Sequence, residues 1–61
     1  MFSQVNATEQ QLIAEIERLE LEARDLRRRV QHARTEQDKR VLNRLLADSE
    51  REIEMLRARV G

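Results

Sequence analysis

The sequence predicts an all-α protein, an antiparallel hairpin of two helices, and three observations support this prediction. Apolar residues recur at alternating intervals of four and three in two separate stretches, which is the spacing of one face of a helix. A polar segment of seven residues separates the two stretches. Charged residues make up 39% of the 61 residues, proline is absent, and the single glycine is the last residue. This composition is typical of coiled coils and helical bundles.

The first helix is predicted to span about residues 7–33. Two overlapping capping boxes, Asn6 with Glu9 and Thr8 with Gln11, compete for its start. No proline or glycine interrupts the segment that follows. On a helical wheel its apolar residues fall within about 80° of one another, which makes a narrow stripe. The stripe consists of Leu12, Ile16, Leu19, Ala23, Leu26 and Val30.

A turn is predicted at about residues 33–36. The segment 34–40 contains no apolar side chain, and within it Thr35 and Asp38 have the spacing of a third capping box. Arginines crowd the end of the first helix and acidic residues open the second, as the helix dipoles favour. These charges indicate a boundary between two helices.

The second helix is predicted to span about residues 36–60, with Gly61 as its C-terminal cap. Its apolar stripe has the same spacing as the first stripe but is displaced by two heptad positions, about 130° around the axis of a continuous helix. Such a displacement favours a turn, although one long helix of about 80 Å in an antiparallel coiled coil is the alternative. The second stripe is also broader. It consists of Val41, Leu42, Leu45, Leu46, Ser49, Ile53, Leu56 and Val60.

The breadth of the second stripe predicts association. A chain of 61 residues forms one domain, residues 1–61, and a core of that size is marginal without further support. Cysteine is absent, so disulfides do not supply that support. The wide apolar face of the second helix covers the first helix, and part of that face remains exposed. We therefore expect a homo-oligomer, with two hairpins in a four-helix bundle, or docking on a protein partner.

The distribution of charge predicts that two copies pack antiparallel. The formal net charge is zero, but residues 9–25 contain six acids and two arginines, whereas residues 27–44 contain seven bases and two acids. In a hairpin the basic block lies at the turn and the acidic excess lies at the termini. Two antiparallel copies would place the basic turn of each hairpin beside the acidic termini of the other and would attract. Two parallel copies would place like charges together and would repel.

The function predicted from these features is that of a non-catalytic interaction module, such as an adaptor, a regulator or an accessory subunit. The sequence has no nucleophile paired with a base, no glycine-rich phosphate loop and a single histidine, His32. We therefore expect no enzyme activity, no cofactor and no metal site. No apolar run approaches the roughly 20 residues of a membrane span, and no signal peptide is recognisable, so we expect a cytoplasmic protein without a membrane partner.

A nucleic-acid-binding hairpin dimer is the alternative function. An arginine-rich helical face can contact phosphates, although this chain has no tyrosine or tryptophan and a single phenylalanine for base stacking. The competing interpretation is that these arginines cap a helix end and pair with acids of a second subunit. The arginines of this possible patch are Arg24, Arg27, Arg28, Arg29, Arg34 and Arg40.

Overall fold

The computed structural model, which describes residues 2–60 and their side chains from residue 8 onward, is an antiparallel hairpin of two helices. Helix α1 spans Phe2–His32 and helix α2 spans Glu36–Val60, with many contacts between them. The molecule measures 52 × 15 × 12 Å. A continuous helix would reach about 80 Å, so the predicted hairpin is confirmed and the long-helix alternative is wrong.

The first helix begins earlier than the capping boxes predict. It starts at Phe2 rather than near residue 7, so Asn6 and Thr8 lie inside α1. Neither proline nor glycine stands in residues 2–10 to stop the helix from extending toward the N-terminus. The capping-box spacing, a polar residue followed three positions later by an acid or amide, therefore does not mark the start of α1. The predicted cap at Gly61 lies outside the described residues.

The turn consists of three residues, Ala33 to Thr35, and contains neither glycine nor proline. The Ala33 N–H donates to the Val30 carbonyl at 3.2 Å, which tightens the last turn of α1. The Asp38 N–H donates to Thr35 Oγ1 at 3.0 Å, and the Lys39 N–H donates to the Thr35 carbonyl at 3.1 Å. Thr35 is therefore the N-cap of α2, as its spacing from Asp38 predicts.

Removal of this cap is expected to destabilise the hairpin moderately. Thr35→Ala takes away the oxygen that accepts from the Asp38 N–H, at a cost of about 1 kcal/mol in the free energy of unfolding. Thr35→Ser keeps the oxygen and is expected to retain most of the stability. Urea unfolding followed by circular dichroism measures both variants at one protein concentration. Equal losses in the two variants would show that the hydroxyl does not cap α2.

Ion pairs between neighbouring turns support the exposed face of α1. Arg18 donates to Glu15 and to Glu22, at 2.6 Å in each case, and Arg29 lies 3.0 Å from Asp25. Pairs at these spacings stabilise a helix by a few tenths of a kcal/mol each. The hydrogen bond from Arg18, together with its charge, lowers the pKa of Glu15, while desolvation opposes the shift.

Arg18→Ala is therefore expected to raise the pKa of Glu15 toward its ordinary value. A carboxylate whose pKa is lowered by folding stabilises the folded state above its unfolded pKa, and the contribution is lost as the pH falls through the folded pKa. We expect NMR titration of the Glu15 side chain to show the upward shift in the variant. An unchanged Glu15 pKa would mean that the Arg18 hydrogen bond does not persist in solution.

The core of the hairpin is a single layer of side chains between the two helices. Its buried members come from the predicted stripes of both helices. Ala23 is the most buried, at 1% exposure, so the helices approach closely at its level. Leu12, Leu46 and Val60 are partly buried and pack against this layer. The buried residues are Ile16, Leu19, Ala23, Ile53 and Leu56.

Candidate interaction surface

One flank of the hairpin is closed by two ion pairs between the helices. Arg27 Nη2 on α1 donates to Glu50 Oε2 on α2 at 3.0 Å, and Arg57 on α2 pairs with Glu20 on α1. All four side chains remain about half exposed, so each pair contributes little to stability. The two pairs run in opposite directions between the helices, and their geometry favours one register of α2 along α1. We call this side the charged flank.

A shallow groove runs along the charged flank. Its floor contains Ala23 and Ile53, one from each helix. Three glutamates and four arginines surround that floor, so acids and bases nearly balance. Because positive and negative side chains are mixed around it, the groove has no strong electrostatic potential of one sign that would attract a charged ligand. The charged residues are Glu20, Glu50, Glu54, Arg24, Arg27, Arg51 and Arg57.

The opposite flank presents apolar surface from α2. Val41 and Leu45, predicted to belong to the packing stripe, are 53% and 47% exposed, and Met55 is 57% exposed. All three lie about 100° around α2 from its buried face, on the side away from Glu50 and Arg57. Val41 and Leu45 are therefore not part of the hairpin's own core, and their predicted part in an oligomer interface stays a prediction.

These exposed residues form a second stripe with the spacing of the first. From Val41 onward, intervals of four, three, four, three and four residues place six side chains within about 80° on the wheel. All six are exposed. Met55 is not among the predicted packing residues, although its interval from Leu45 extends the same periodicity. We call this set the outer stripe: Val41, Leu45, Asp48, Glu52, Met55 and Arg59.

A second shallow groove lies between the outer stripe and α1. Leu26 and Ser49 line it together with Leu45. Leu26 and Ser49 are half-buried, as are Val30 and Leu42 of the predicted stripes. The outer stripe is therefore continuous with the half-buried side of the core.

The arginines of the predicted phosphate patch do not gather on one surface. Arg27 is paired with Glu50 across the hairpin, and Arg29 is paired with Asp25. Arg28 lies about 160° around α1 from the buried seam, and Arg40 lies equally far around α2, so the two stand on opposite outer faces. Within the described residues, no ion pair engages the remaining members, which are Arg24, Arg28, Arg34 and Arg40.

The described residues contain no cluster of three or more histidine or acidic side chains arranged to hold a metal ion. Neither helix, over the residues described, combines the length and the apolar character that crossing a membrane requires. Comparisons with protein-family models, with curated proteins and with solved structures found no match to this chain.

Proposed function

We propose that this chain is a non-catalytic helical interaction module that acts by associating with a second copy of itself. The observation that carries the proposal is the outer stripe, where Val41, Leu45 and Met55 are each about half exposed. The hairpin uses one stripe of α2 for its own core and leaves the other without a partner within the described residues. Three of the six members of the outer stripe are apolar. Exposed apolar residues at heptad spacing form the usual contact face of a bundle helix.

The size of the core supports the same proposal. Only five side chains are buried among the residues described, and one of them is alanine. A domain of this length buries about 60% of the surface of its unfolded chain, which leaves little stability to spare. A second hairpin packed on the outer stripe would complete a four-helix bundle and extend the buried layer. Such a module would serve as an adaptor, a regulator or an accessory subunit.

Leu45→Asp is expected to weaken self-association strongly. The substitution places a carboxylate in the middle of the apolar part of the outer stripe, and in a two-fold dimer each substitution acts twice. Burying an unpaired charge costs several kcal/mol. We therefore expect the dissociation constant to rise by at least 100-fold, since each 1.4 kcal/mol is a factor of ten. Sedimentation velocity over a range of protein concentrations measures it.

Leu21→Asp is the matched control, because Leu21 is 62% exposed and lies on the face of α1 opposite the core. It makes the same chemical change outside the proposed surface and should leave association unchanged. Circular dichroism of both variants verifies that the hairpin is intact. A wild-type chain that stays monomeric at all concentrations, or equal effects of the two variants, would refute self-association through this surface.

A further inference from the structure

We infer that the exposed back of α2 binds the phosphate backbone of a nucleic-acid duplex. The inference concerns a row of arginines and does not depend on the proposed self-association. From Arg40 onward, intervals of four, three and four residues place four side chains along one line of α2. All four are exposed. We call this set the basic ridge: Arg40, Arg44, Ala47 and Arg51.

The basic ridge lies on the face of α2 opposite the core. Its three arginines fall within about 30° of the direction that points away from the buried Ile53 and Leu56. They extend over about 16 Å of helix, and the short side chain of Ala47 lets a ligand approach the helix surface between them. The ridge is about 80° around α2 from the outer stripe. A second copy packed on the outer stripe would therefore leave the ridge open to solvent.

The guanidinium groups of the basic ridge are available to a ligand. Within the described residues, the side chains of Arg40 and Arg44 make no hydrogen bond and no ion pair. Arg51 Nη1 lies 3.7 Å from Asp48 Oδ1, which is too long for a hydrogen bond. By contrast, Arg27 donates across the hairpin at 3.0 Å. The three ridge arginines therefore keep their donors for acceptors outside the chain.

The basic ridge contains no acidic side chain. The arginines Arg24 and Arg28 on the back of α1 differ in this respect, because Glu17 lies between them on the helical wheel. The nearest acids of α2 lie about 60° from the centre line of the ridge, on either side of it. They are Glu36, Asp48 and Glu54. The back of α2 therefore presents a continuous row of positive charge, whereas the back of α1 does not.

The composition of the ridge favours a nucleic-acid duplex over other anionic ligands. Arginine binds phosphate through two parallel N–H groups. A duplex carries roughly one negative charge per 1.7 Å of its axis, so a straight row of arginines meets phosphates wherever it lies along the duplex. The ridge has no aromatic side chain to stack on the bases of a single strand. It also has no large apolar side chain to enter a membrane surface.

Fluorescence anisotropy of a labelled DNA duplex, titrated with the wild-type chain at several salt concentrations, tests this inference. Three phosphate contacts predict a slope of about −2.7 when the logarithm of the binding constant is plotted against the logarithm of the salt concentration. The double variant Arg40→Gln, Arg44→Gln removes two contacts. We expect its slope to shrink to about −0.9 and its affinity at low salt to fall more than tenfold. Arg40→Lys, Arg44→Lys keeps both charges and should retain most of the slope.

Arg24→Gln, Arg28→Gln is the matched control. It removes two exposed arginines that are also four residues apart and also without an ion pair within the described residues. The net charge changes by the same amount, but the ridge stays intact, so the slope should remain near that of the wild type. Circular dichroism and sedimentation velocity verify that every variant keeps the fold and the association state of the wild type.

The possible outcomes separate this inference from the proposed function. Absence of binding by the wild-type chain at low salt would overturn the inference. Equal losses in the two glutamine variants would also overturn it, because net charge and not the ridge would then control binding. Displacement of the duplex by polyglutamate at an equal concentration of charge would assign the ridge to acidic proteins instead. A monomeric chain that binds the duplex would refute self-association and leave the ridge standing.

Discussion

Leu19→Ala is expected to destabilise the hairpin strongly. Leu19 is 8% exposed and belongs to the five-residue core. Truncation of a buried leucine to alanine costs about 2–5 kcal/mol, because apolar burial is lost and a cavity remains. A chain of this length has a total stability of roughly 3–9 kcal/mol at about 0.05–0.15 kcal/mol per residue. The substitution therefore removes a large part of the available free energy.

Leu21→Ala provides the comparison, since it makes the same chemical change on the same helix at a side chain that is 62% exposed. We expect this variant to stay within about 0.5 kcal/mol of the wild type. Urea unfolding followed by circular dichroism, with every sample at the same protein concentration, gives both values. Similar losses in the two variants would contradict the observed phase of α1, in which Leu19 faces α2 and Leu21 faces away from it.

Ala23→Leu is expected to push the two helices apart. Ala23 is 1% exposed and forms part of the groove floor between the ion pairs of the charged flank. Three additional carbon atoms have no space there, and overpacking of this kind costs about 1–3 kcal/mol. Separation at this level would also stretch the contacts Arg27–Glu50 and Glu20–Arg57. We therefore expect lower stability together with a larger radius of gyration.

Ala14→Leu is the matched control, because Ala14 is an exposed residue of α1. Leucine and alanine are both strong helix formers, so this control should change stability by only a few tenths of a kcal/mol. Thermal unfolding together with small-angle scattering measures both quantities for the pair. If Ala23→Leu were more stable than the wild type, there would have to be a void beside Ala23, contrary to the close approach of the helices.

The hairpin itself follows from local sequence features. The second apolar stripe is out of phase with the first, so no straight helix places both against one partner. The capping interaction at Thr35 involves residues three positions apart, and such spacing is readable from sequence. The start of α1 is not readable in the same way, because the polar residues at positions 6 and 8 are compatible with both a cap and a helix interior.

The surface of the hairpin depends on contacts that the sequence does not specify. The pair Arg27–Glu50 joins residues 23 positions apart, and Arg57–Glu20 joins residues 37 positions apart. Helix periodicity locates all four on exposed faces, but only the register of α2 on α1 decides which acid meets which base. The same register places Val41 and Leu45 outside the core. The spacing of Val41 and Leu45 predicts that they belong to the packing stripe of α2, but in the hairpin both side chains are about half exposed.

Association of the hairpin with a second copy of itself is tested by sedimentation equilibrium together with small-angle scattering on the purified wild-type chain. We expect a particle of twice the 7.3 kDa chain mass, with a longest dimension near the 52 Å of one hairpin. Hairpins that lie side by side do not lengthen each other. A 7.3 kDa particle at every concentration would contradict association, and a rod of about 80 Å would contradict the hairpin itself.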